Sequence, residues 1–510
     1  MALLEIPSQE HSLLFLILFI VFSCAAGYRL WYAFAGPLSH FPGPTIASVT
    51  SAWDMYQDLI AQRNVRQLMG RLHERYSSPI IRIRPNFLHI NDPDLFSEVF
   101  YSQRTYRKDP EFYARLGFPG ALGAETNQLI HQRQRKQLDP FFSSKGIEAC
   151  YPKIRAKIDI MCQGLQQRQA AGESVELLDL FKRLTFDVIY LLAFGIDLLY
   201  TDKFDTEAGM LSDMKIALAA MMFFKWVPGL SRLVFSLPLC VVGTFFGSYV
   251  KMRRHSYELI QRNYSRVLQE SPKGRCFDTT IFDSVLRSFA EIQEGSSLTK
   301  VQTEKVVDEA FAIMFAGSDT TALALTSTLV YLCRRPEKMV KLRQEVECLR
   351  ETKVQDIQLA TISQMPYLDG VIREASRLSS PLSTVLPREV PSTGCVIGGH
   401  FLPKGTIVGF HLDDINRNSK FFPEPNEFIP ERWTGKEGKK LQRWFVPFSK
   451  GSRRCIGMDF AVVEMKLAVA AIISRFEIWL DNPNVTLNSR EMIVKILGDD
   501  LRIRLREITV

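Results

Sequence analysis

No two of the nine cysteines form a C-x-x-C pair, and His131, His400 and His411 stand at no zinc-finger spacing from any cysteine pair. That removes the usual zinc modules and leaves no disulfide framework. Scattered cysteines fit a reducing, cytosol-facing compartment better than an oxidising one. The sequons at Asn263 and Asn484 then read as chance matches. There is no long basic tract: 63 Lys and Arg against 55 Asp and Glu leave a net charge of +8, spread along the chain. No recognition motif accompanies that charge, so nucleic acid is not indicated as a partner. A mild positive excess suits an anionic membrane surface or an acidic protein, and equally a plain solvated surface. No nicotinamide or flavin fingerprint is present, so any electrons must come from a separate protein. Tryptophan is scarce, six against 35 phenylalanines, which points to wide apolar cavities or to packed helices.

Lys and Arg are also missing ahead of the first apolar run, Ser12 to Tyr28. As a helix that run is roughly 25 Å long, and Leu30 to Ala35 can extend it, so it can span a bilayer. Arg29 follows it, then Arg63, Arg66 and Arg71. The positive-inside rule places the main body in the cytoplasm, with Trp31 and Tyr32 at the interface. A cleaved signal peptide is the competing reading, helped by the small residues from Cys24 to Ala26, but the basic n-region is missing and the apolar run is long. The F-P-G-P stretch from Phe41 to Pro44 is a stiff break after the anchor, because proline cannot continue a helix. At 510 residues about three domains would fit, although single-core enzymes also reach this size.

The most informative stretch is Phe448 to Gly457, F-S-K-G-S-R-R-C-I-G. Gly451 and Gly457 allow a tight turn and a close approach to a flat ligand. Arg453 and Arg454 raise the local positive potential, which favours thiolate over thiol at Cys455. A helix-compatible run from Met458 to Ile473 follows, and its N-terminal amides favour negative charge on the sulfur. Apart from ligation, Cys455 would be a buried inert cysteine. Every fixed position of F-x-x-G-x-R-x-C-x-G is matched, and in this the chain resembles the cytochrome P-450 superfamily. The resemblance implies haem bound through an axial Cys455 thiolate.

The resemblance covers Phe41 to Val510 and implies a mainly α fold with small β-sheets. One catalytic domain, residues 41–510, would follow an anchor and linker, residues 1–40. In the family the strand-turn-strand of Ile80 to Ile90 belongs to the first sheet, and the irregular Tyr101 to Asn127 contacts substrate. The helix from His131 to Ser143 carries His131 and Arg135 at i,i+4, and the family uses this face for a haem propionate. Arg135 is the stronger candidate. Arg388 and Arg453 match further propionate contacts, and Pro381 to Val385 lines the pocket in relatives. Asp205 to Val250 is greasy and interrupted, suited either to core or to a substrate-access surface that dips into the membrane.

Glu304 to Cys333 is a long apolar helix with A-G-S-D-T-T at its centre. A mid-helix glycine costs about 1 kcal/mol relative to alanine. Asp and Thr in such a run cost more unless partnered. Local rules broken together mark a functional site. Thr320 beside Asp319 can relay protons into a dry pocket, and Gly317 can make room for oxygen. The plainer reading is a kinked core helix whose threonines bond back to carbonyls. Further on, Glu374 and Arg377 share a helix face, and P-E-R-W adds Arg432. The family buries these three as a network that supports the cysteine loop, and a buried charge needs such pairing. In D-I-N-R-N, Asn416 stands where the family usually has histidine.

What the resemblance implies is a monooxygenase in the endoplasmic reticulum membrane, resembling fungal secondary-metabolism members. It would take O2 and a lipophilic terpenoid, polyketide or alkaloid. Its electrons would come from NADPH through NADPH-cytochrome P-450 reductase, with cytochrome b5 as a second candidate donor. The alternatives are a haem-thiolate isomerase or dehydratase that needs no O2, and a non-catalytic binder of apolar ligands. Isomerase relatives often lack the Asp-Thr pair that this chain has, and a simple binder leaves the cysteine loop unexplained.

Overall fold

The computed structural model describes residues 9–61, 64–101, 106–203, 209–227, 229–269, 280–292, 298–485, 487, 489–490, 494–498 and 500–508. Arg63 and residues 205–208 of the greasy segment lie outside them. The chain divides into two compact units, Met1–Tyr106 with Leu386–Phe410, and Arg107–Val385 with His411–Val510.

The first unit begins with α1 (Gln9–Phe34). Its apolar side chains from Leu13 to Phe22 are exposed, and Leu13–Phe34 is long and apolar enough to cross a membrane. A helix end leaves carbonyls without intrahelical donors. Here the buried Arg82 supplies donors, to Ala33 O at 3.0 Å and Tyr32 O at 3.4 Å. Trp31 is exposed, as an interface residue should be. Tyr32 instead lies against Arg82, 5.4 Å from guanidinium to ring, and donates to Asn86 Oδ1.

Next comes α2 (Val65–Tyr76), which buries Leu68, Met69 and Leu72, is N-capped by Asn64 and ends with Ser77 in the left-handed region. The strands β1 (Ile80–Arg84) and β2 (Phe87–Ile90) pair antiparallel, Ile80 opposite Ile90. The Asp92 carboxylate caps α3 (Pro93–Tyr101) through the Asp94 and Leu95 amides. Late in the chain β3 (Leu386–Glu389) and β4 (Ile407–Phe410) join the sheet in the order β1-β2-β4-β3. The β2–β4 pair is parallel and the β3–β4 pair antiparallel. Phe96, Phe100 and Phe410 pack beside it with ring centroids 4.4 to 5.8 Å apart.

The second unit is helical: α4 (Gln128–Phe142), α5 (Ser144–Ala170), α6 (Leu177–Phe194), α7 (Gly209–Trp226), α8 (Leu239–Gln269), α9 (Lys300–Cys333), α10 (Pro366–Ser379) and α11 (Met458–Arg475). A small antiparallel sheet pairs β5 (Phe476–Leu480) with β6 (Arg502–Glu507). The core gathers Ile154, Phe181, Leu184, Leu329, Leu368 and Ile472, none more than 1% exposed. The greasy segment serves two ends: α7 buries Met214, Leu218, Met221 and Phe224, whereas Val227, Leu233 and Val241 are exposed. In α8 the helix breaks at Gly243, whose φ is 64°.

The helix α9 opens with a capping box, Thr299 with Gln302. Three of its buried hydroxyls bond back along the helix, Ser318 to Met314 O, Thr326 to Ala322 O and Thr328 to Ala324 O. That satisfies polar groups which would otherwise be costly in an apolar core. Across the α6 interface Thr185 donates to Ser318 O at 3.1 Å.

Candidate active site

The cysteine loop turns on Ser449 and Gly451, whose φ angles are 57° and 72°, and closes where Cys455 N donates to Phe448 O at 2.9 Å. Phe448 is half-buried against the core. Gly457 is the N-cap of α11 at φ −84°, an angle any residue adopts. A β-carbon there would meet only Phe142, at 3.8 Å. The protein atoms thus leave this glycine unexplained, and room for a flat ligand against the backbone explains it. The loop fits a haem in that respect.

Cys455 keeps accessible surface, and the protein around it still desolvates the thiol. Burial pushes the thiol above its ordinary value. The opposing influences come first from the Gly457 amide, then from Arg135, with Arg454 smaller. Among the arginines the larger of these influences comes from Arg135, and the net effect is a raised thiol.

Arg453 reaches the carbonyls of Glu125 at 2.6 Å and Thr126 at 3.3 Å, and Gln128 Oε1 at 3.3 Å. Arg135 donates to Arg454 O at 2.9 Å and pairs with Asp139. These bonds tie the start of α4 to the cysteine loop, and each guanidinium has five donors to share. His131, one turn before Arg135, is buried. Arg388 belongs to the first unit, where it is buried in β3 with its guanidinium 4.8 Å from the Phe100 ring.

From Val306 to Val330 every residue of α9 is buried except five: Glu309, Ile313, Ala316, Gly317 and Thr320. The spacing i, i+4, i+7, i+8, i+11 places them on one stripe of a helix. Thr320 donates to Ala316 O at 2.8 Å. Asp319 is buried, and its carboxylate receives the Lys182 ammonium of α6 at 2.7 Å. Neighbouring helical residues point about 100° apart. No hydrogen bond joins Asp319 to Thr320 among the described residues, so the pair expected from sequence does not touch directly.

Gly317 has a packing reason. A β-carbon there would come within 2.8 Å of Ile189 Cγ1 on α6. The glycine lets two helices approach, a reason the sequence did not show.

Glu374 on α10 is fully buried and receives five hydrogen bonds. Arg377 gives two at 2.8 and 2.9 Å, Arg432 one at 2.9 Å, the Trp433 indole one at 2.8 Å and the Ile429 amide one at 3.1 Å. The sequence named the three charged members. It missed Trp433, whose indole is visible in P-E-R-W, and Asn416. The Asn416 carbonyl accepts from Arg377 at 2.8 Å, and its Oδ1 accepts from Val446 N at 3.1 Å, two residues before Phe448. Lys182 was missed as well, since only the fold brings it to Asp319.

The irregular Tyr101 to Asn127 is described except for residues 102–105, and it is no plain surface loop. Gly120 N donates to Asp308 Oδ2 at 2.7 Å and Leu122 N to Glu309 Oε2 at 2.6 Å. Arg253 of α8 pairs with Asp308 at 2.5 Å and with Glu304 at 2.9 Å.

Comparison with known proteins agrees with these observations. The Cytochrome P450 family model matches residues 42–499. A cytochrome P450 monooxygenase, phqM, of Penicillium fellutanum is 29% identical over 91% of this chain and 88% of its own length. Another, penB of Penicillium thymicola, is 31% identical over 81% of this chain and 92% of its own. The crystal structure of the cytochrome P450DA heme domain superposes with a TM-score of 0.72 at 20% identity, covering 88% of this chain and 94% of that one. That likeness shows the mainly helical fold. On the family model and these relatives, the chain belongs to the cytochrome P450 family and is one of its monooxygenases.

Proposed function

We propose a membrane-anchored haem-thiolate monooxygenase that hydroxylates a lipophilic secondary metabolite, with Cys455 as the residue that would hold the haem through its sulfur. The observation that carries the reading is the accessible Cys455 sulfur in a tight loop at the start of α11, beside a glycine that only a close ligand explains. A haem held there supplies the iron that activates O2 with two electrons, and thiolate ligation favours O–O cleavage. Electrons come from a membrane-bound NADPH-cytochrome P-450 reductase. The exposed α1 keeps enzyme and reductase on one surface, that of the endoplasmic reticulum.

The chain's own residues do the rest. The Gly457 amide and Arg135 favour the sulfur anion. Arg135, His131, Arg388 and Arg453 are the candidates to hold the propionates. The open stripe of α9 excludes bulk water from one side and offers Ile313 and Ala316 to an apolar substrate. Thr320, fixed by its bond to Ala316 O, holds a proton at Oγ1 on that stripe. Asp319, after releasing Lys182 and taking a proton from solvent, would resupply it through water or a side-chain turn. The Asp319–Thr320 pair and the Cys455 loop together favour this over an isomerase that uses no O2.

Purified protein, reduced and exposed to carbon monoxide, should show the long-wavelength Soret band of a sulfur-ligated haem. Cys455→His should abolish that band. An unchanged spectrum in the variant overturns the proposal.

A further inference from the structure

The open stripe of α9 is apolar or neutral except at one end. Ile313, Ala316 and Gly317 carry no charge and Thr320 a hydroxyl, whereas Glu309 carries a carboxyl. Eleven residues of helix rise separate Glu309 from Thr320, about 16 Å. Glu309, like Cys455, keeps accessible surface, and its Oε1 is not among the buried side-chain oxygens.

The hydrogen bonding of Glu309 is incomplete. Its Oε2 accepts from Leu122 N at 2.6 Å. Its Oε1 has no hydrogen-bond partner among the described residues. The neighbouring Asp308 differs: it takes the Gly120 amide at 2.7 Å and the Arg253 guanidinium at 2.5 Å, and is sealed. One carboxylate thus holds the 117–122 loop onto α9 and α8, and the other presents an oxygen to the space beside the stripe. A carboxylate oxygen in a desolvated site gains most from a cationic donor.

We propose that Glu309 is a specificity-determining residue that binds a protonated nitrogen of the substrate, at the far end of a slot whose near end is Thr320. This rests on the monooxygenase reading and narrows its substrate class to a lipophilic molecule with a basic amine remote from the oxidised carbon. The acid has a second property that suits the task. Burial raises its pKa to about 7; the Leu122 amide and Lys108 oppose that, and the Asp308 carboxylate adds to it. Glu309 is therefore mostly ionised above pH 7 and mostly neutral below, so amine preference should grow as pH rises.

The test uses full-length holoprotein and two series of 1-alkylimidazoles that end in an ammonium or a methyl group. The imidazole anchors each probe at the haem iron, and the spectral shift reads binding without turnover. At one chain length the ammonium probe should bind about tenfold tighter than its methyl partner at pH 8. The advantage should shrink at pH 6. In Glu309→Gln it should vanish while methyl probes bind as before, because Gln can still accept from Leu122 N. Equal affinity of the two series in the parent overturns the inference, as does a preference that survives in Glu309→Gln. Loss of methyl-probe binding in that variant assigns Glu309 to loop support and also overturns it. Absence of the carbon monoxide band in the parent protein instead sinks the haem-thiolate reading and this inference with it.

Discussion

Two polar regions of the second unit contrast sharply. Around Glu374 four residues converge on one carboxylate with five hydrogen bonds in all, and the group is shut away from solvent. Along the α9 stripe the polar groups are sparsely partnered and keep surface, Thr320 with a single back-bond and Glu309 with one amide. A buried charge tolerates no missing partner unless something else is to supply it. The saturated cluster suits a scaffold, and on the reading proposed above the unsaturated face is left for a ligand.

The hardest way to break this contrast is to empty the scaffold. Glu374→Ala leaves Arg377 and Arg432 facing each other without the carboxylate that joins them. Removing one partner of a buried pair costs about 3–5 kcal/mol. Arg377 also holds the Asn416, Pro425 and Glu427 carbonyls, so the damage should travel through Asn416 to Val446 and the cysteine loop. The expected outcome is little folded protein and little retained haem, measured by thermal melting and haem content. A variant that melts like the parent and keeps its haem would show the network to be dispensable.

Glu464 on α11 fits neither class, and so sharpens the comparison. It is 1% exposed, and its Oε1 has no hydrogen-bond partner among the described residues. Burial alone raises its pKa to about 8, from an ordinary 4.5. The folded state keeps a proton that the unfolded state releases, so this stability is complete below about pH 4.5 and is lost as pH rises toward and through 8. The loss should amount to roughly 5 kcal/mol across that window. Glu464→Gln should flatten the fall in melting temperature between pH 5 and pH 8. An equal slope in parent and variant would mean that the carboxyl finds a partner on ionising.

The cysteine loop and the Glu374 network were legible because their signals are local in sequence: a fixed spacing around Cys455, a Glu and an Arg three apart, and P-E-R-W. The exposed apolar N-terminal helix was legible because length and polarity are enough to define it. What could not be read were partners chosen by the fold. Lys182 lies 137 positions before Asp319, and only the packing of α6 on α9 joins them. The packing role of Gly317 was hidden for the same cause, since its β-carbon direction meets Ile189 on that same helix. Asn416 looked like a mild departure from the family, yet it links Arg377 to the strand of chain entering the loop. The stripe itself was hidden because a 34-residue apolar helix shows no face until its neighbours have buried the rest of it.

The smallest structural change along that stripe should have the most specific chemical effect. Thr320→Ala removes one hydroxyl from an accessible site and leaves no buried donor behind, because its bond was to a carbonyl already within a helix. Its cost in stability should be under about 1 kcal/mol, so the melting temperature should barely move. If Oγ1 passes protons, reductant should still be consumed while less product forms per NADPH. The two measurements must be made together. An unchanged melt with unchanged coupling would leave Thr320 as a helix residue with a back-bonded hydroxyl, and the proton path would have to run by water alone. A fall in coupling with an unchanged melt would locate the defect in proton delivery and not in the fold, because the Glu374 cluster that supports the loop lies on other helices and keeps all five of its bonds.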